Sequence, residues 1–180
     1  MATDTNAEHG DSYWVEDGRH HHVMRQSELS NFVGMCPEEM RLNRLHPERR
    51  RENDATASGT AVHAGIESAV NHLMAGCTLT LGEMTGVAIQ EFASLHDNPS
   101  FVVVSNDRST CEANIRHAMK TFHDEIFPTL HPMGSEIPFR RLILHEDDHR
   151  VIYANGTVDY HDHNLGLIDW KTASSAHRAW

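Results

Sequence analysis

Cysteine, long apolar runs and positive charge are all scarce in this sequence. The three cysteines, Cys36, Cys77 and Cys111, are widely separated and form no CxxC pair, which fits a reducing cytoplasm better than a disulfide scaffold. No stretch approaches the roughly 18 consecutive apolar residues that a membrane span needs. The opening segment MATDTNAEHGDS lacks the basic and then apolar pattern of a signal peptide. We therefore expect a cytoplasmic protein with no membrane partner.

Positive charge is outnumbered, with 15 Lys and Arg against 26 Asp and Glu and a formal net charge of -11. That balance argues against a general nucleic-acid coat protein, because phosphate binding needs clustered basic side chains. Residues 19–51 reverse the balance, with seven Arg against four Glu, an excess of three positive charges. Arginines of this stretch either follow a phosphate backbone or form a solvated connector; they are Arg41, Arg44, Arg49, Arg50 and Arg51.

Histidine is abundant, at 16 residues. His20, His21 and His22 stand together in a polar segment, but no second ligand cluster follows at zinc-site spacing. We interpret the run as exposed. The alternative, a histidine-rich metal-binding protein, predicts tight Zn²⁺ binding through these three side chains.

The length and composition predict one soluble folded domain. The chain has 180 residues, 39% of them hydrophobic and 23% charged, enough for one domain with a real core. Residues 1–24 are predicted to be a loose polar lead-in, and residues 25–180 to form the domain.

Helices are predicted in the first two thirds of the chain. Val62, Ile66 and Val70 recur at helical spacing and predict an amphipathic helix over residues 59–75, with Gly76 as its C-cap. Shorter or weaker patterns predict helices over residues 27–45 and 82–95. A capping box, Ser109-x-x-Glu112, opens a further helix that Pro128 closes.

Strand patterns follow. The segments SEIPFRRLILHE, HRVIYANGTVDYHD and LGLIDWKTA are rich in β-forming residues and are separated by turn residues. We predict three strands in an antiparallel meander, with the helices packed on a small sheet, so the fold class is α/β.

The last two strands carry a group of charged side chains. Asp169 and Lys171 are two residues apart, so both would point to the same face of one strand. The predicted hairpin brings Asp159 alongside. Two close carboxylates repel each other unless a cation lies between them, and hard divalent ions favour carboxylate and phosphate oxygens. An exposed hairpin with a cross-strand salt bridge is the alternative.

Four short motifs occur in a fixed order: GTAVHAGIE, SEIPF, GTVDY and LIDWKTA. Together they resemble the RecB-type branch of the PD-(D/E)xK nuclease superfamily, which includes RecB-like domains, CRISPR-adaptation exonucleases and many phage exonucleases. The segment SELSNFVGMCPEEM also resembles the opening pattern of that family. The resemblance covers residues 27–175 and implies a restriction-endonuclease-like core.

The resemblance implies roles for individual residues. His63 would be a metal ligand, Asp159 and Asp169 the metal-binding aspartates, and Lys171 the catalytic lysine. The backbone carbonyl of Trp170 would be a further ligand.

Two glutamates have weaker matches. Glu136 matches a glutamate often found at the start of the first core strand. Glu67, one helical turn beyond His63, either supports the metal ligands or is a solvated helix residue.

The resemblance also implies Mg²⁺ or Mn²⁺ as the cofactor. Some members hold an iron–sulfur cluster through one cysteine in the Cys-Pro segment, which Cys36 matches, and three near the C-terminus. Those three are absent here, so no cluster is expected. The family's closing helix and strand are not matched before Trp180, so we expect the C-terminal part of the fold to be missing.

The implied function is that of a metal-dependent DNA exonuclease in recombination, repair or phage replication, in a bacterial or phage-infected cell. Its partners would be DNA and a recombination or replication protein. The alternative from a different class is a non-catalytic DNA-binding module with the same fold.

Overall fold

The structure, a computed structural model, describes residues 13–25, 38, 41–42, 45–46 and 51–171. The chain divides into two compact units. The first comprises Met1–Pro47 with Pro138–Thr157, and the second comprises Glu48–Ile137 with Val158–Trp180.

The first unit begins with a β-hairpin. Strands β1 (Tyr13–Glu16) and β2 (Arg19–Arg25) pair antiparallel around Asp17 and Gly18, both with positive φ, as a tight hairpin turn requires. These two strands were not predicted from the sequence. Sequence periodicity missed them because histidines occupy positions where a strand usually shows apolar residues.

The middle histidine of the run is buried, not exposed. β2 pairs in parallel with residues 150–155 of a later strand, and this pairing leaves His21 only 8% exposed. Its ring lies 3.0 Å from the Tyr153 hydroxyl, at hydrogen-bond distance. The histidine run is thus an ordinary strand segment whose central side chain packs inward.

In its described part, the second unit contains three α-helices: α1 (Asp54–Met74), α2 (Leu81–His96) and α3 (Arg108–Thr121). Helix α1 begins five residues before the predicted start at residue 59, because the side chain of Asn53 accepts hydrogen bonds from the first free backbone N–H groups. It ends as predicted, just before Gly76 at φ 79.

Close approach of the helices builds the core. A Cβ added to Gly65 of α1 would lie 3.0 Å from Met119 of α3 and 3.1 Å from Ala88 of α2. The absence of a side chain at that position therefore lets the three helices meet. The largest side chains that they enclose are Met84, Phe92, Ile115 and Met119.

Helix α3 is capped by a different residue from the one predicted. The carboxylate of Asp107 accepts from the N–H of Thr110 at 2.7 Å, while the hydroxyl of Ser109 donates to the same carboxylate. Asp107 outcompetes Ser109 because a carboxylate accepts more strongly at the positive end of a helix. Beyond Thr121 the chain continues as a wide π turn (Phe122–Ile126) and a 3-10 turn (Phe127–Thr129) that contains Pro128.

Three strands complete the described chain: β3 (Pro132–Glu146), β4 (Arg150–Asp162) and β5 (Gly166–Ile168). β3 and β4 are neighbours, and β4 pairs antiparallel with β5. With the parallel β2–β4 pairing, the sheet is mixed. The predicted α/β class is confirmed at this level. Strand β5 stops at Ile168, so Asp169 and Lys171 lie beyond it.

None of the helices in the described part of the chain has both the length and the apolar character that a bilayer crossing requires.

A buried carboxylate ties α1 to the loop after α2. Asp54 is 1% exposed and accepts hydrogen bonds from three successive N–H groups, those of Val104, Ser105 and Asn106, at 2.6 to 3.2 Å. These bonds hold the pKa of Asp54 below its ordinary value, against the opposing effect of burial.

We expect Asp54→Ala to destabilise the protein by about 3 kcal/mol or more, because it leaves buried N–H groups without an acceptor. Since the folded pKa is depressed, the stabilisation is complete above the unfolded pKa of about 3.9 and is lost as pH falls through the folded value. Urea unfolding at pH 7 and near pH 3 measures both effects. The exposed Asp148→Ala serves as control. An equal loss of stability in the two variants would contradict this role.

Candidate metal centre

Helix α1 presents two polar side chains beside its buried stripe. His63 and Glu67 are four residues apart and therefore project from the same face. Their neighbours Val62 and Ile66 are buried, which fixes the rotation of the helix and leaves both polar side chains half-buried. The prediction that they share a face is confirmed.

Glu136 reaches the same region from β3 through an unusual backbone conformation. Its φ is 47°, in the left-handed region that a glutamate rarely adopts. A residue in this conformation departs from the alternation of a regular strand, so its side chain is redirected. Strain of this kind is found preferentially at functional sites.

Asp159, on β4, completes a cluster of three. One ligand atom from each of His63, Glu136 and Asp159 lies within 4.8 Å of the other two. The His63 Nδ1 and Asp159 Oδ2 atoms are 3.7 Å apart. The three residues come from α1, β3 and β4, and all belong to the second unit.

The main chain of Trp170 joins two members of this cluster. Its N–H donates to Asp159 Oδ2 at 2.7 Å, and its carbonyl lies 2.9 Å from His63 Nε2. Because a carbonyl only accepts, this bond requires the proton on Nε2, so the Nδ1 lone pair of a neutral ring faces Asp159.

The indole ring holds that main chain in place. It stacks on buried Tyr160 with centroids 5.5 Å apart and meets Phe122 edge-on at 5.8 Å. Aromatic packing onto the core thus positions the backbone atoms that contact His63 and Asp159.

The cluster lines an open cavity of about 530 Å³. Four carboxylates line the cavity, those of Glu67, Glu91, Glu136 and Asp159. The small residues Gly59, Thr60 and Ala64 also line it and leave room beside His63. The pKa of Glu136 is raised, first by partial burial and then by the charges of Glu67 and Asp159, with His63 acting in the opposite sense. Such mutual repulsion is what a bound cation would relieve.

Asp169 and Lys171 are not members of the cluster of three. The Lys171 Nζ lies 2.8 Å from Asp169 Oδ2, and their side chains are 72% and 49% exposed. Asp169 is not one of the three residues whose ligand atoms converge. The structure therefore brings together His63, Asp159 and Trp170 from the predicted set, together with Glu136, and leaves the other two as an exposed ion pair.

The arginines predicted to line a DNA path are only partly described. Arg41 forms an ion pair with Glu38, and Arg51 is exposed. Arg44, Arg49 and Arg50 lie outside the described residues, as does Cys36.

Sequence reasoning missed Glu91 and underestimated Glu136. Glu91 lies on α2, a helix that was predicted, but its place beside the cavity depends on how α2 packs against α1. The signal available for Glu136 was its position in SEIPF, whereas the positive φ that redirects it has no counterpart in the sequence.

Comparisons of the chain with protein-family models, with curated proteins and with solved structures find no match.

We expect Glu136→Gln to stabilise the metal-free protein at neutral pH. A raised folded pKa means that the charged form is less stable in the folded state, so the penalty is absent below the unfolded pKa of about 4.3 and grows as pH rises through the folded value. Thermal unfolding in chelator at pH 7 and pH 4 should show a gain only at pH 7. Glu125→Gln is the control, since Glu125 faces the favourable charge of Lys120. A gain at both pH values would show that the negative charge of Glu136 is not the cause.

Proposed function

We propose that this chain is a divalent-metal-dependent deoxyribonuclease, an exonuclease of DNA recombination, repair or phage replication, built on a restriction-endonuclease-like core. The observation that carries the proposal is the convergence of His63, Glu136 and Asp159 from three separate elements of one unit. The motif resemblance assigns two of these three residues to metal binding, and the geometry adds the third.

The donor set fits Mg²⁺ or Mn²⁺. Carboxylate oxygens suit both ions, and an imidazole nitrogen is a better ligand for Mn²⁺ than for Mg²⁺. The raised pKa of Glu136 supports the same fit, since partial burial and then the charges of Glu67 and Asp159 disfavour its charged form, which a bound cation would favour. His63, Asp159 and Glu136 would hold the ion, and Glu67 would add negative charge behind them.

When bound, the ion would polarise a phosphoryl oxygen and lower the pKa of a water molecule. The chain's own residues orient the metal ligands and supply a positive charge for the phosphate. The Trp170 main chain holds His63 and Asp159 in fixed orientations, as partners of metal ligands commonly do. Lys171 would leave its contact with Asp169 and place its ammonium beside the negatively charged phosphate.

The acidity of the cavity bears on DNA binding. Four carboxylates line it, and a phosphate group approaching them without a cation would be repelled. DNA binding at this site should therefore depend on a divalent ion. The arginines of residues 41–51 would add affinity through contacts with the phosphate backbone.

The alternative, a non-catalytic DNA-binding module, is favoured by one observation. Lys171 is exposed and forms an ion pair with Asp169. In a module without turnover, that pair would have only a surface role.

Cleavage of linear DNA is expected to require Mg²⁺ or Mn²⁺ and to stop in chelator. Ca²⁺ accepts looser geometry and more ligands, so it should permit binding while supporting little cleavage. A gel assay of end-labelled duplex, with and without each ion, measures cleavage, and fluorescence anisotropy measures binding. Cleavage that persists in chelator would contradict the proposal.

The variant Lys171→Ala distinguishes a nuclease from a non-catalytic DNA-binding module. In a nuclease it should reduce the rate about a hundredfold or more, because a charge that stabilises the transition state is lost. Mn²⁺ affinity should change little, since an ammonium is not a ligand. If the wild-type protein binds DNA with Ca²⁺ yet shows no cleavage with Mn²⁺, the non-catalytic alternative stands.

Mn²⁺ affinity tests the cluster without any need for activity. Asp159→Asn and Glu136→Gln should each weaken Mn²⁺ binding at least about tenfold, since each removes a charged donor. Electron paramagnetic resonance of free Mn²⁺ measures the affinity. Glu125→Gln is the matched control. Asp169→Asn tests whether Asp169 is a metal ligand. If it is, as the motif resemblance implies, the loss of Mn²⁺ affinity should be comparable to that of Asp159→Asn. If only the three residues of the observed cluster bind the ion, the loss should be small. Unchanged affinity in both Asp159→Asn and Glu136→Gln would rule out the cluster.

A further inference from the structure

The part of β3 in the first unit, residues 138–146, lies at an edge of the sheet. Among the described strands the order is β1-β2-β4-β3, so β3 has a neighbour on one side only. An edge strand presents unpaired backbone N–H and C=O groups that can pair with another strand. β3 is also long, at 15 residues in all.

This edge carries an exposed apolar side chain on each of its two faces. Ile143 is 53% exposed and Leu144 is 47% exposed, and successive strand residues point to opposite faces. On each side of the strand, the described part of the chain therefore leaves an apolar side chain about half exposed. Exposed apolar residues on a long edge strand favour association with a further strand.

The charges along the edge select the partner. Arg140 is exposed and has no ion-pair partner among the described residues. Arg140 lies three residues before Ile143, and Glu146 lies three residues after it. Glu146 accepts a hydrogen bond from Arg19 through Oε1. Its Oε2 has no partner within the described chain. The strand is thus positive before Ile143 and negative after it.

We propose that two copies of this chain associate through these edges, as antiparallel strands with Ile143 at the two-fold axis. In that register Arg140 of each copy lies opposite Glu146 of the other. Ile143 lies opposite its own counterpart, and the two Leu144 side chains become diagonal neighbours. A parallel in-register pair would instead place Arg140 opposite Arg140, which is repulsive.

Such an interface is small. Strand-to-strand pairing over one edge buries less than the roughly 1,200 Å² of a standard stable complex, so the dimer is expected to be weak and concentration-dependent. The symmetry is of the closed two-fold kind, in which the β3 edge of each copy is occupied by the β3 edge of the other.

Sedimentation velocity between about 5 and 500 µM tests the association, a range that spans the affinities of weak complexes. The wild-type mass should rise towards that of a dimer, while Ile143→Lys and Arg140→Glu should remain monomeric at the highest concentration. Val103→Lys is the matched control, because Val103 is equally exposed at 58% but lies in a loop of the second unit. A wild-type protein that stays monomeric throughout overturns the proposal.

A cysteine at the axis tests the register. Residues directly opposite in an antiparallel pair have Cα atoms about 4.5 to 5.5 Å apart, within disulfide range. In a Cys36→Ser, Cys77→Ser background, Ile143→Cys should therefore form an intermolecular disulfide under mild oxidation far faster than Val103→Cys does. Equal rates for the two variants would overturn the antiparallel register even if a dimer forms.

Discussion

The contacts of Trp170 organise the candidate site. Its ring packs on Tyr160 and Phe122, and its main chain bonds both Asp159 and His63. One residue therefore couples the hydrophobic core to the polar cluster. Because packed aromatic rings resist displacement, core packing sets the separation of His63 and Asp159.

Electrostatic repulsion is the second constraint, and it opposes the first. The core brings four carboxylates around one cavity, where partial burial and like charge raise the pKa of Glu136. A protein that holds carboxylates together in this way is less stable without a cation than with one. The left-handed backbone conformation of Glu136 is a further energetic cost of the site, because the rest of the fold must stabilise it.

Strand β3 connects the two proposals through one sequence segment. Its first residues supply Glu136 to the cluster, whereas residues 140–146 form the edge whose charges are self-complementary. The two features rest on different physics. The first depends on a ligand set that a single cation can satisfy, and the second on unpaired backbone groups and apolar side chains left exposed at an edge.

By itself, the sequence determined the elements with strong local signals. The helical periodicity around His63, the Gly76 cap and the β-rich second half could be read from residue patterns, whereas the association of His63 with Asp159 was implied by the motif resemblance. Tertiary structure alone decided the rest. Packing of α2 on α1 brought in Glu91, and a left-handed backbone directed Glu136 into the cluster. Strand β5 stopped at Ile168, which left Asp169 and Lys171 outside. Spacing along a chain fixes which side chains share a face, but the meeting of separate elements depends on long-range packing that local patterns do not encode.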